Sequence, residues 1–166
     1  MDYLDYIAEN TASEILVDVK SRHTKYEMLE TQLLELESAM NSVSASKMSA
    51  DRVSTSRTQN GLDEQVIKLF SLQAQVAGKM IENLNLNAFL YDLLCEVDND
   101  DYIKILHYRY FKLDDEGKRR KWEEVAKHVN FSEEHTKRLH ALAVEAFQNT
   151  IYKRLNQSLN IMENAL

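Results

Sequence analysis

Trp122-Glu123-Glu124-Val125-Ala126-Lys127-His128-Val129-Asn130-Phe131-Ser132, followed three residues later by Thr136-Lys137-Arg138-Leu139-His140-Ala141-Leu142-Ala143-Val144-Glu145-Ala146-Phe147, is the stretch on which the fold turns. Trp122, Val125, Ala126 and Val129 fall on one helical face. Asn130 then sits where a tight turn between two helices needs a left-handed residue, a conformation Asn tolerates. Phe131 is placed to plug the turn. Ser132 is a good N-cap for a second helix, and Glu133 and Glu134 in its first turn suit the helix dipole. Thr136, Leu139, Leu142, Ala143, Ala146 and Phe147 form the face this second helix is expected to bury. Two helices joined this way make a helix-turn-helix.

Upstream, Asp98-Asn99-Asp100-Asp101 supplies candidate caps and first-turn acids for a short helix dense in aromatic residues, Tyr102 to Phe111. A basic loop, Lys118-Arg119-Arg120-Lys121, joins that helix to Trp122.

The N-terminal half has a different period. Ala8, Ala12, Ile15, Val19, Arg22, Tyr26, Leu29, Leu33, Leu36, Met40 and Val43 follow in alternating steps of three and four, with Arg22 the one polar member. Such a heptad predicts a long helix buried along one seam against another helix. About 40 residues of it would reach ~60 Å, so its partner is a second long helix of this chain or another copy. Arg22 in that seam either fixes register or snorkels at an edge. Residues 41–61, rich in Ser and ending at Asn60-Gly61, read as a linker. A second helix runs from about Leu62 to Cys95 with two apolar stripes. One is Leu62, Val66, Leu69, Val76 and Met80; the other is Phe70, Ala77, Ile81, Leu84, Ala88, Tyr91 and Cys95. A face that wide can touch two neighbours. Cys95 on this stripe reads as buried packing.

Composition agrees with an all-α chain. The 166 residues include no Pro and three Gly, which removes most turn chemistry, while 44 % hydrophobic content can build a core. The single cysteine excludes a disulfide framework and any multi-cysteine zinc site. His135 and His140 lie five apart with no completing ligands, so neither a metal nor another cofactor is expected. Three scattered glycines cannot form a phosphate loop, and nothing points to an enzyme. No apolar run nears ~18 residues and no basic leader opens the chain, so a cytoplasmic protein is expected, without a membrane partner.

The net charge of −7 is divided unevenly. Residues 1–95 carry 14 acidic and 8 basic residues, whereas 102–154 carry 8 acidic and 12 basic, with four of the five histidines. That asymmetry predicts two regions, 1–97 for helical pairing and oligomerisation and 98–166 as the helix-turn-helix domain.

The stretch from Trp122 to Phe147 resembles the fourth region of bacterial sigma factors, and Ile105-Leu106 and Arg109-Tyr110-Phe111 are similar to the helix that opens that region. The layout of the whole chain is similar to prophage regulators of the RinA and ArpU type, while the motif itself spans about residues 100–150. This sequence departs from the pattern at Lys121, where a Thr or Ser cap is usual, and at Glu133, where Arg is favoured; the loop from Lys112 to Lys121 is also longer.

The resemblance implies a sequence-specific regulator of phage or prophage late genes in a bacterial host, with double-stranded DNA and host RNA polymerase as partners. Its recognition helix would read bases with Glu134, His135, Lys137 and Arg138, the outward residues of the first turns. Lys118, Arg119, Arg120 and Lys121 would suit phosphate oxygens. One copy offers few contacts, so a homo-oligomer, as a coiled-coil dimer, is expected to supply the remaining affinity. Two alternatives stay open. A small terminase subunit also joins a helix-turn-helix to an oligomerising part, though usually in the opposite order. A protein-only module binding RNA polymerase would use the same fold without DNA.

Overall fold

A computed structural model describes the backbone of residues 3–50, 56–114 and 117–164. Among these residues the chain is all-α: α1 (Tyr3–Glu9), α2 (Ala12–Ala50), α3 (Ser56–Cys95), α4 (Asp100–Leu106), a π-turn (His107–Phe111), α5 (Trp122–Val129) and α6 (Glu133–Asn164). The long α2 and α3 pack together, and the smaller helices are C-terminal. Helical backbone continues through 41–50 and resumes at 56; residues 51–55 of the expected linker lie outside the described residues, as do the side chains of Val43 and Leu62.

The first heptad does not run through one helix, because α1 ends at Glu9 and α2 starts anew at Ala12. Thr11-Ala12-Ser13-Glu14 is a capping box: the Glu14 carboxylate accepts from the Thr11 backbone N–H at 2.8 Å and from its hydroxyl at 2.7 Å, while Thr11 Oγ1 accepts from the Glu14 N–H at 3.4 Å. Those bonds hold the Glu14 carboxyl below its ordinary range. Across the break, Asn10 donates to the Tyr6 carbonyl at 2.8 Å, and Gln148 of α6 accepts from the Ala12 N–H at 2.6 Å. Ala8, counted into the seam, is consequently exposed.

Two compact units result. One is residues 25–84; the other joins residues 1–24 to 85–166. In the second unit Ile7, Ile15 and Leu16 share a core with Leu90, Leu93 and Leu94 of α3, Leu106, and Phe147 and Ile151 of α6. Arg22 belongs here. It pairs with Asp18 at 2.6 Å and lies over the Tyr6 ring at 4.8 Å, while the Tyr6 hydroxyl donates to Asp18 at 2.9 Å. Burial raises the Tyr6 phenol above its ordinary value, with Arg22 opposing. Cys95, expected to be buried, is exposed, because the core-facing positions at the end of α3 are Leu93 and Leu94.

The other unit consists of the parts of α2 and α3 that lie within residues 25–84. Tyr26, Leu29, Leu33, Leu36 and Met40 are half-buried along α2, and Val66, Leu69, Gln73, Val76, Ala77, Met80 and Asn83 are the covered positions along α3. This is the spacing of a helix pair that buries one seam. The second stripe of α3 is open: Phe70, Ile81, Leu84 and Tyr91 are all exposed.

Candidate nucleic-acid interface

Asn99 starts α4, its side chain accepting from the N–H groups of Asp101 at 3.0 Å and Tyr102 at 3.1 Å. After Leu106 the helix widens into a single π-turn, closed by the Lys112 N–H on the His107 carbonyl at 2.9 Å. Four successive side chains then meet four partners. Tyr108 stacks on His128 at 3.8 Å, Arg109 lies over Trp122 at 4.5 Å, Tyr110 bonds His140 at 3.0 Å, and Phe111 meets Tyr91 at 5.9 Å. The turn therefore ties α3, α5 and α6 to α4.

Around these rings two histidines, His140 and His107, have lowered pKa values. Burial lowers the His140 pKa, with Arg109 adding to the effect, and Trp122 stands edge-on to the ring at 4.9 Å. Burial likewise lowers His107, helped by Lys112 and His128. Arg109 is itself lowered, first by burial, and donates to the Arg120 carbonyl.

The turn between α5 and α6 is as expected. Asn130 has φ 59° and ψ 37°, and its N–H donates to the Lys127 carbonyl at 3.4 Å. The Phe131 N–H donates to the Ala126 carbonyl at 3.1 Å, which completes a Schellman closure, and Phe131 packs on Ile105, Val125 and Val129. Ser132 Oγ accepts from the His135 N–H at 3.2 Å and caps α6. Lys121 occupies the cap position of α5 without a side-chain bond; its carbonyl accepts from Glu124 and Val125, both at 3.1 Å.

Thr136, Ala143 and Phe147 are buried, and Leu139 and Ala146 partly so. Leu142 is an exception, standing 45 % exposed. α6 turns it away from the row of Ala143, Phe147 and Ile151, which faces the core.

That orientation puts Glu134, Lys137 and Arg138 in solvent on the first turns of α6, with His135 half-buried. Lys137 is ion-paired with Glu133 at 2.6 Å, and Arg138 meets His135 Nδ1 at 2.9 Å while Phe131 stands edge-on to the His135 ring at 5.0 Å. These pairs pre-set the two cations along the helix. Exposed pairs of this kind hold each other weakly, so either cation can exchange its partner for an anion.

The basic loop divides into two roles. Arg120 donates to the Lys112 carbonyl at 3.1 Å and the Leu113 carbonyl at 3.2 Å, pairs with Glu124 at 3.6 Å and lies over Tyr108 at 4.9 Å. Arg119 lies over Tyr110 at 5.1 Å. Both guanidinium groups brace the loop. Lys118 and Lys121 are exposed. The Lys118 N–H donates to Asp114 Oδ1 at 2.7 Å, and the Asp114 N–H donates to the Lys118 carbonyl at 2.9 Å. Gly117, at φ 68°, lets the chain reverse there; residues 115 and 116 lie outside the described residues.

His128, exposed on Tyr108, joins this surface, as does Lys127, paired with Glu123 at 2.8 Å. The 20-residue gap between Tyr108 and His128 hides their contact from any local pattern. Among the described residues no group of His, Cys, Asp and Glu could hold a metal, and no helix is long and apolar enough to cross a membrane.

Compared with protein-family profiles, curated proteins and solved structures, the chain has no significant match.

Proposed function

We propose that the chain is a sequence-specific, double-stranded-DNA-binding transcription regulator of the phage or prophage type, acting in the bacterial cytoplasm. The observation that carries this reading is the first two turns of α6, which present Glu134, Lys137 and Arg138 outward from a helix fixed by the Asn130 turn and the Ser132 cap. Lys137 and Arg138 are donors suited to guanine edges, and Glu134 is an acceptor suited to cytosine. Lys118 and Lys121 take the phosphate role; Arg119 and Arg120 contribute by holding the loop in shape.

The test is a mobility shift on DNA from the gene's own neighbourhood across a salt series, beside Lys137→Ala/Arg138→Ala. The expected result is a discrete complex that weakens steeply with salt. The double variant should lose roughly ten-fold or more in affinity, together with its sequence preference.

A second reading is favoured by the pairing of Lys137 with Glu133 and by the net charge of −7: a module that docks on RNA polymerase alone. No shift at low salt, together with retention of polymerase by the full chain, would select that reading instead.

A further inference from the structure

The two cations at the start of α6 are held by partners of different kinds. Lys137 pairs with Glu133 at 2.6 Å, and these side chains are 50 % and 47 % exposed. Two flexible chains in water hold such a pair weakly, and the carboxylate offsets the charge of its partner.

Arg138 is held by a ring. Its Nη2 lies 2.9 Å from His135 Nδ1. A guanidinium has only donors, so Nδ1 accepts and the ring proton is on Nε2. His135 is half-buried and fixed at both ends from the turn. Ser132 Oγ accepts from its backbone N–H at 3.2 Å, and Phe131 stands edge-on to its ring at 5.0 Å. Phe131 is anchored in turn, packed on Ile105, Val125 and Val129 with its N–H on the Ala126 carbonyl at 3.1 Å. A line of contacts therefore runs from the small core under the turn, through Phe131 and His135, to the Arg138 guanidinium.

The two supports suit different tasks. Reading a guanine through O6 and N7 needs a planar fork in a defined orientation, and the entropy lost in fixing a long side chain counts against it. An arginine already oriented by an anchored ring loses less on binding. The imidazole nitrogen engages one guanidinium donor, leaves the others for a ligand and cancels none of the charge. Lys137 is a point charge on a flexible stem, which suits the phosphates that every sequence presents.

On the DNA-binding reading, we infer that His135 is a positioning residue that orients Arg138 to read a guanine, while Lys137 supplies affinity without sequence preference.

The test starts with selection of sites from a randomised duplex pool by the full chain. Mobility shifts follow on the selected site and on versions with each base pair replaced. At one G·C pair, replacement should cost the wild-type chain roughly ten-fold or more in affinity and cost Arg138→Ala almost nothing. His135→Ala should lose most of the preference at that same pair, and His135→Ala/Arg138→Ala should lose no more than Arg138→Ala alone. His135→Asn, whose Oδ1 can take the place of Nδ1, should recover the preference. Lys137→Ala should weaken binding equally for every version and lower the salt slope by about one. A His135→Ala variant that keeps the preference at that pair, loses it at a different pair, or loses affinity equally for every version would overturn the inference and leave the DNA-binding reading standing. A wild-type chain that enriches no sequence would overturn both.

Discussion

The two units of this chain bury their apolar residues in opposite ways. Among the described residues, 25–84 contains only Val76 and Asn83 below the surface, yet it holds Met28, Leu34, Ile67, Phe70, Leu72, Ile81 and Leu84 among the large exposed hydrophobics. Residues 1–24 and 85–166 hold every other buried residue, from Tyr6 to Ile151. A helix in a two-membered pair is covered along one stripe, so its seam is half-wet; a helix surrounded on several sides loses water completely. The second unit therefore closes a core of its own, and the first is a helix pair that leaves apolar surface uncovered among its described residues.

Truncation tests this contrast most severely. Phe147→Ala, at a fully buried site, should cost about 3–5 kcal/mol in urea denaturation. Leu33→Ala, half-buried in the helix pair, should cost about 1 kcal/mol, since it loses less transfer free energy and leaves no closed cavity. Equal costs would break the distinction between core and helix pair.

A smaller effect sharpens it at the turn. Asn130→Ala should destabilise the second unit by about 1 kcal/mol, because a Cβ-bearing residue without a locally bonding side chain is strained at φ 59°. Asn130→Gly should be nearly neutral. Thermal melts of the two variants give the comparison directly, and similar losses in both would place the role of Asn130 in its side chain.

The smallest effect is with pH. All five histidines lie outside residues 25–84. His140 has a lowered pKa in the folded state, mainly through burial, against an ordinary 6.5. Below that value the unfolded chain binds more protons than the folded one. Stability is then full above about pH 7 and falls as pH drops below 6.5. His107 acts in the same direction. Melting temperatures measured from pH 7.5 down to pH 5.5 should decline, and less steeply in His140→Gln; a rise on acidification would contradict the buried neutral ring.

What could be read in the sequence was local. Asn130 and Ser132 announce a turn and a cap from their own chemistry, and both act as their types require. The long seams were legible because a period repeated many times outweighs single exceptions. The break at Asn10-Thr11 was harder to see. Ala8 and Ala12 stay in phase across it, and apolar counting does not register the Thr11–Glu14 box. Cys95 and Leu142 were misplaced for a related reason: periodicity names a face, but which face the fold covers depends on partners far along the chain. Of the candidate site, the exposed turns of α6 were legible, whereas the bracing roles of Arg119 and Arg120 depend on rings and carbonyls that only folding brings near.

The length of α6 has a consequence for how this protein can be altered. Its 32 residues begin at the exposed Glu133-to-Arg138 turns and continue through Ala143, Phe147 and Ile151, which pack with α1, α2 and α3. The α5–α6 pair is thus not a cassette. A fragment cut before Asp98 would leave Phe147 and Ile151 bare of Ile15, Leu90 and Leu94. Single substitutions are the easier change: positions 134, 137 and 138 are exposed and can be rewritten without disturbing the residues that keep α6 upright.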